Sequence, residues 1–327
     1  MIEAYYKDKK VMVTGGSGFL GSHIVKQLEA FDCEVVVPRS SEYDLVDPNA
    51  TLACLQNYKP DIIIHSAVWH GGPPIHEAFP AHMYHQNMMM GTNIIHASHL
   101  CNIERLVVIG SDCSYPGYLG KEVLSESDLF SGRPHDSAID YGIVKRVLTV
   151  QAWAYNKQYD LDVSSLILTN MYGEEDNFNP DSSHVVGALI RRFTEAVQQN
   201  KPEVVVWGSG KPTRNFLYVK DAAQGVIRAT AQYHSHEPIN ITTGQGNSVK
   251  ELAETIASLT NFKGKLVWDT EKSDGQMKKV LDVSRMKEHL DWQPEFTLKE
   301  GLANTIEWYQ ANKEKADARK KNLAMTV

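Results

Sequence analysis

VMVTGGSGFLG, residues 11–21, decides the fold. Residues 11–14 form a short apolar run that leads into Thr14-Gly15-Gly16-Ser17-Gly18-Phe19-Leu20-Gly21. The next apolar positions, Leu20, Ile24, Val25 and Leu28, share one face at helical spacing. Strand, glycine turn and helix in that order open a dinucleotide-binding βαβ unit. Gly15, Gly18 and Gly21 suit a tight turn, close approach of backbone to a pyrophosphate, and close helix–strand contact. Phe19 and Leu20 begin the helix whose unpaired N–H groups would meet the phosphates.

The same alternation continues outward. Further strands are predicted at 34–37, 61–65, 106–110 and 163–168, with helical patterns between them. Short buried strands separated by helices give the α/β class: a Rossmann-type, doubly wound parallel sheet over about residues 1–175. After Gly173 the polar stretch EEDNFNPDSS (174–183) precedes a helical stripe of Val185, Val186, Leu189, Ile190 and Phe193. Ser248 and Glu251 form a capping box ahead of Leu252, Ile256 and Leu259. Residues 176–327 therefore read as a smaller C-terminal α/β substrate domain, some of whose segments return to the first. The charged end, 314–327, reads as a frayed helix or tail.

Composition narrows the function. The 327 residues are 42% hydrophobic and 22% charged, as in ordinary globular proteins, and their length suits two domains. A net charge of -7 argues against a nucleic-acid partner, which needs a basic face. No apolar run approaches the roughly 20 residues that span a bilayer. The four cysteines, Cys33, Cys54, Cys101 and Cys113, lack paired spacing, as expected of reduced thiols in a cytoplasmic protein. His82/His85 and His96/His99 have a spacing that can bind metal, but no carboxylate or cysteine set accompanies them, so no metal site is expected.

The second strand ends without the acidic residue that would hold a free ribose 2′-hydroxyl. Arg39 and Ser40 stand there instead and suit a 2′-phosphate, which favours NADP(H) and leaves NAD(H) possible. Tyr141 and Lys145 lie at i and i+4 on one helical face. An ammonium and an oxidised nicotinamide both favour phenolate, so this pair suits acid–base chemistry. Ser111, ending the fourth strand, can donate a hydrogen bond to a substrate carbonyl oxygen.

Together the glycine loop, GSDCSYP (110–116), YGIVK (141–145), LTNMYG (168–173) and GSGKPTRNFLYVKD (208–221) resemble the extended short-chain dehydrogenase/reductases. HQNMMMGTNIIHA (85–97), NFNPDSSHVVGALIRRF (177–193) and SDGQMKKVLDVSRM (273–286) are similar to the GDP-L-fucose synthase branch of that group. The resemblance implies an NADPH-dependent epimerase/reductase acting on a nucleotide-activated, GDP-linked 4-keto-6-deoxy sugar. By transfer, Cys113 is the base and His184 the acid that invert the carbons flanking the ketone, and Tyr141 protonates the C4 oxygen. Lys145 and Asn170 fall at the cofactor, with Asn170 ordering the substrate or the nucleotide-binding loop. Arg192 and Arg214 match diphosphate-binding positions, and Trp207 and Lys279 lie near the nucleotide.

The resemblance also implies a homodimer built through a bundle containing the Tyr–Lys helix. Its face of Val144, Leu148, Gln151 and Ala152 fits such an interface and fits a core equally. The alternative reading is a nucleotide-sugar 4-epimerase that keeps NAD bound and recycles its hydride, but it has no need of Cys113 and His184. The chain departs from the family pattern at Asp112, at Trp69 and His70 before Gly71-Gly72, at Ser17, and at Ser273 and Met277.

Overall fold

The computed structural model describes residues 2–318. Five strands, β1 (Lys10–Thr14), β2 (Glu34–Val36), β3 (Ile62–His65), β4 (Arg105–Ser111) and β5 (Val163–Leu168), lie within a residue of the expected runs. They form a six-stranded sheet with the strand Ile239–Ile241, in the order Ile239–Ile241, β5, β4, β3, β1, β2, every pair parallel. The order doubles back between β1 and β3. The glycine loop leaves β1 at the carboxyl end of that switch point, where open sheets of this kind bind their ligands.

Alternate residues feed two cores, which is why the strands read as continuous apolar runs. Val11, Val13, Ile62, Ile64, Val107 and Ile109 face the helices Phe19–Leu28 and Val219–Gln232. Met12, Ile63, Leu106 and Val108 face the helices Pro80–Leu100 and Ile139–Tyr159. The second core absorbs Val144, Leu148 and Ala152, each 1% exposed or less, and Thr92 donates a hydrogen bond to Gln151. That face is therefore core. The exposed apolar residues of the Tyr–Lys helix are instead Val147, Val150, Trp153 and, at its end, Tyr159.

The remaining segments build small sheets. Asn170–Tyr172 pairs with Phe216–Tyr218, Glu203–Trp207 with Lys265–Asp269, and Thr213–Arg214 is flanked by Asn247–Ser248 and Lys278–Lys279. The Ser248–Glu251 capping box forms as expected. A short helix, Lys313–Ala318, begins the charged end, and residues 319–327 of that expected tail lie outside the described residues. Among the described residues no helix is long and apolar enough to cross a membrane.

Arg105 ties the late segment to the sheet. Fully buried at the start of β4, it donates to Asp162 Oδ1 (2.6 Å), Ser164 Oγ (3.0 Å), Thr230 O (3.1 Å) and Tyr233 O (2.6 Å). Removing it orphans buried acceptors on two elements at once. Arg105→Met should destabilise the fold by about 3 kcal/mol. The measurement is a lowered urea midpoint at unchanged slope, and an unmoved midpoint would show that the guanidinium contributes nothing net.

Candidate active site

The cofactor end is shaped by backbone. Gly15 has a φ of +68°, and a Cβ on Gly21 would lie 2.2 Å from the Gly15 carbonyl oxygen, so the turn closes only without side chains there. Gly18 precedes the helix Phe19–Leu28 with no side-chain cap, which leaves its first N–H groups, including those of Phe19 and Leu20, to be met from outside. This cradle fits a pyrophosphate. Arg39 and Ser40 follow β2 on an exposed turn beside it, where Glu42 and Tyr43 N–H groups both bond the Arg39 carbonyl.

At the end of β4 the chain enters a tight turn, Asp112–Ser114, in which the Cys113 N–H donates to Ser111 Oγ (3.2 Å). The helix Ile139–Tyr159 lies against that turn because Gly142 has no side chain. A Cβ there would sit 2.2 Å from the Cys113 carbonyl oxygen. The contact sets Tyr141 beside Cys113 in one apolar cluster with Ile75 and Met83.

Lys145, 4% exposed, donates from Nζ to the Ile109 carbonyl (2.7 Å) and lies 5.5 Å from the Tyr141 ring centroid. Burial pulls its ammonium down to about 8. Burial, then the Lys145 charge, pulls His65 down to about 3, so this histidine is neutral where its Nδ1 shares a hydrogen bond with Thr14 Oγ1 (2.8 Å). Sequence reasoning expects Lys145 to acidify Tyr141. Here burial pushes the phenol well up, and the Cys113 and Asp112 charges push the same way. Tyr141 is thus held as a proton donor.

Asp112, one of the departures from the family pattern, is buried and paired with Lys279 at 2.8 Å. Lys279 Nζ is also 3.8 Å from Cys113 Sγ, and Asn170 Nδ2 donates to Asp112 Oδ2 at 3.3 Å. Burial raises the Cys113 thiol, the Lys279 charge lowers it, and Asp112 raises it again. Arg214, opposite Lys279 in the strand register, is pulled down by burial and feels the Asp112, Cys113 and Asp274 carboxylate and thiolate charges.

His184 caps the helix Val185–Gln198. Its ring stacks on His70 (centroids 5.1 Å, planes 10° apart), and His70 lies 4.3 Å from the Tyr141 ring. The Gly72 N–H donates to the Ser182 carbonyl (2.9 Å) and pins these two loops together. Ser111, Cys113, Tyr141, Lys145 and His184 thus converge on one site.

Farther out, the Arg192 guanidinium lies 5.0 Å from the half-exposed Trp207 ring and Lys272 Nζ 5.6 Å. Asp274 accepts from the Ser209 N–H and hydroxyl, both at 2.7 Å, and fixes the adjoining glycine turn. Lys279 therefore sits against Cys113, whereas Trp207 sits against Arg192 and Lys272. Sequence reading did not single out His76, Asp140, Lys272 or Asp274, although Asp274 lies within the stretch 273–286. Three of the four regularly spaced histidines meet aromatic side chains: His82 edge-on to Trp69 (4.6 Å), His99 stacked on Tyr159 (3.9 Å), and His96 bonded to the Tyr155 hydroxyl (2.9 Å).

A glycine cradle at a sheet's switch point, with serine, tyrosine and lysine gathered at the neighbouring strand end, defines the short-chain dehydrogenase/reductase class. The chain belongs to the NAD dependent epimerase/dehydratase family, whose profile matches residues 11–242. It is 39% identical to the GDP-L-fucose synthase of Escherichia coli K12 over 94% of this chain and 98% of that protein. Its fold is similar to the Naegleria fowleri GDP-L-fucose synthetase bound to NADP (TM-score 0.86, 30% identity, 95% and 97% of the two chains). A Campylobacter jejuni GDP-6-OMe-4-keto-L-xylo-heptose reductase is as similar in fold (TM-score 0.86, 28% identity, 93% and 98%).

The Asp112–Lys279 pair should govern Cys113 reactivity. Asp112→Asn should move the onset of Cys113 alkylation by iodoacetamide to lower pH, and Lys279→Met should move it higher. Peptide mass spectrometry separates this thiol from the other three, and equal onsets in all proteins would refute the assignment.

Proposed function

We propose that this protein is an NADPH-dependent 3,5-epimerase/4-reductase of a GDP-linked 4-keto-6-deoxy sugar. The observation that carries the reading is a second titratable pair, Cys113 and His184, assembled around the Tyr141 phenol. A simple hydride-transfer site needs no such pair.

Gly15, Gly18, Phe19 and Leu20 hold the cofactor pyrophosphate, Arg39 and Ser40 its 2′-phosphate, and Lys145 and Asn170 its reactive end. Bound NADPH supplies the hydride for C4. Protons on the carbons flanking a ketone are acidic because the carbanion delocalises into the carbonyl. Cys113, as thiolate, removes such a proton. Its burial makes that thiolate a strong base, and Lys279 keeps it within reach. His184 returns a proton from the opposite side. Ser111 and Tyr141 hydrogen-bond the C4 oxygen, and Tyr141 then gives up its proton to it. Arg192 and Arg214 bind the diphosphate through planar, permanently charged groups, with Trp207 beside the nucleotide.

A division near residue 175, with Ile239–Ile241 returning to the first sheet, suits a cofactor-binding first unit and a second unit that takes the sugar nucleotide. The exposed Val147, Val150 and Trp153 suit a two-fold helical interface between copies. The four free thiols suit the cytoplasm.

Mixing the protein with NADPH and a GDP-4-keto-6-deoxy sugar should quench NADPH fluorescence, and the product formed in deuterated water should carry deuterium at each inverted carbon. Cys113→Ser should suppress that exchange more than reduction, and Tyr141→Phe should lower kcat by roughly 10²- to 10⁴-fold. No turnover with any nucleotide 4-keto hexose or heptose would sink this reading.

A further inference from the structure

His70 stands where the chain departs from the family pattern, and nothing in the reaction above uses it. Its backbone is held on both sides. Asn87, buried on the helix Pro80–Leu100, accepts from the Trp69 N–H (2.9 Å) and donates to the Trp69 carbonyl (2.8 Å). Beyond it, the Gly72 N–H bonds the Ser182 carbonyl, and a Cβ on Gly72 would lie 2.2 Å from the Ser183 carbonyl oxygen. The loop bearing His70 and the loop bearing His184 therefore meet backbone to backbone, an approach that a side chain at residue 72 would block.

The ring is held as firmly. His76, on the short helix Pro73–Ala78, donates from Nδ1 to Asp140 Oδ1 (3.1 Å) and shares a hydrogen bond through Nε2 with His70 Nε2 (3.3 Å). The His76 and Asp140 side chains are 9% and 11% exposed, and Asp140 Oδ2 is buried with no hydrogen-bond partner among the described residues. The carboxylate thus relies on His76, and turning that imidazole away would leave a buried charge uncompensated. So the His76 ring is fixed, and its Nε2 fixes the edge of His70. Asp140 lies in the first turn of the helix Ile139–Tyr159, which ties this anchor to the element that carries Tyr141.

His70 presents a ring face to the site. The His184 ring lies parallel to it, with centroids 5.1 Å apart and planes 10° from one another, and the Tyr141 ring lies 4.3 Å away at 46°. His184 occupies the N-cap position of the helix Val185–Gln198, yet its side chain makes no capping bond there. Its plane is set by the flat partner, because a ring turned out of parallel loses the stack.

We propose that His70 is a positioning residue for His184: pinned from behind by Asp140 and His76, it holds the His184 imidazole in the plane from which that group returns its proton. The inference rests on the epimerase reading. His70 itself neither gives nor takes a proton. Because the pin starts on the residue before Tyr141, the acid of the epimerisation is registered on the helix that carries the proton donor of the reduction.

The ratio of inverted to uninverted reduced sugar, read by NMR of the product, reports the placement of His184, and the amount of folded enzyme cancels from it. With NADPH and a GDP-4-keto-6-deoxy sugar, His70→Ala should lower this ratio by roughly 10- to 100-fold, the effect of about an ångström of misplacement, with KM unchanged. His70→Phe keeps the ring and loses the bond, so it should recover the ratio to within about fivefold of wild type. His76→Ala should lower it by a similar factor alone and no further in the His70→Phe background. An unchanged ratio in His70→Ala overturns the proposal, and so does a His76→Ala loss that persists undiminished in the His70→Phe background. Ring-current shifts give a readout independent of turnover. The His184 imidazole C–H signals should lie upfield in wild type and His70→Phe and move downfield in His70→Ala; signals that coincide in wild type and His70→Ala overturn the stack. The expected shifts in a protein that turns over no nucleotide 4-keto sugar would retire the epimerase reading and support the pinning of His184 by His70.

Discussion

The site depends on one close approach, that of the helix Ile139–Tyr159 to the turn after β4. Any side chain at residue 142 would collide with the Cys113 carbonyl, so glycine at that position sets how deeply the helix can settle. Because it settles fully, Tyr141 reaches Cys113, and Lys145 reaches under the strand to the Ile109 carbonyl. The lysine bond then locks the helix's rotation about its own axis. Serine, cysteine, tyrosine and lysine thus owe their common position to a contact between two backbones rather than to one another.

Charge within that pocket is arranged in opposed pairs. Burial pushes the cysteine thiol up, Lys279 draws it down, and Asp112 opposes Lys279. Burial and then Lys145 hold His65 down, whereas burial and the Cys113 and Asp112 charges all push the Tyr141 phenol up. A buried ion pair of this kind adds little to stability, because desolvation offsets its attraction. Its value lies in fixing which proton is held and which is released.

Much of the architecture was legible in the chain. The strands of the first sheet announce themselves as apolar runs, and the glycine loop marks the cofactor end, because both signals are local. Tyr141 and Lys145 share a face by spacing alone. The short strand Ile239–Ile241 carries too few residues for any periodicity, so its place beside β5 came only from the structure. The Tyr–Lys helix is apolar on more than one side, and pattern alone could not say that Val144 and Leu148 turn inward while Val147 and Val150 face out. Asp140 lies 64 residues beyond His76, with nothing in the local sequence to link the two. Packing brings them together.

That last strand has a consequence for how the protein is made. The flank of β5 is covered by residues more than seventy positions further along, held in place by the buried Arg105 guanidinium. Until a ribosome has delivered them, the nascent sheet presents an open row of amide and carbonyl groups, the feature through which growing chains stick to one another. Pairing so distant in sequence is also slow to form. A shortened polypeptide ending after β5 would keep the whole glycine loop and still be prone to clump, since the cover of that flank comes from the distal half.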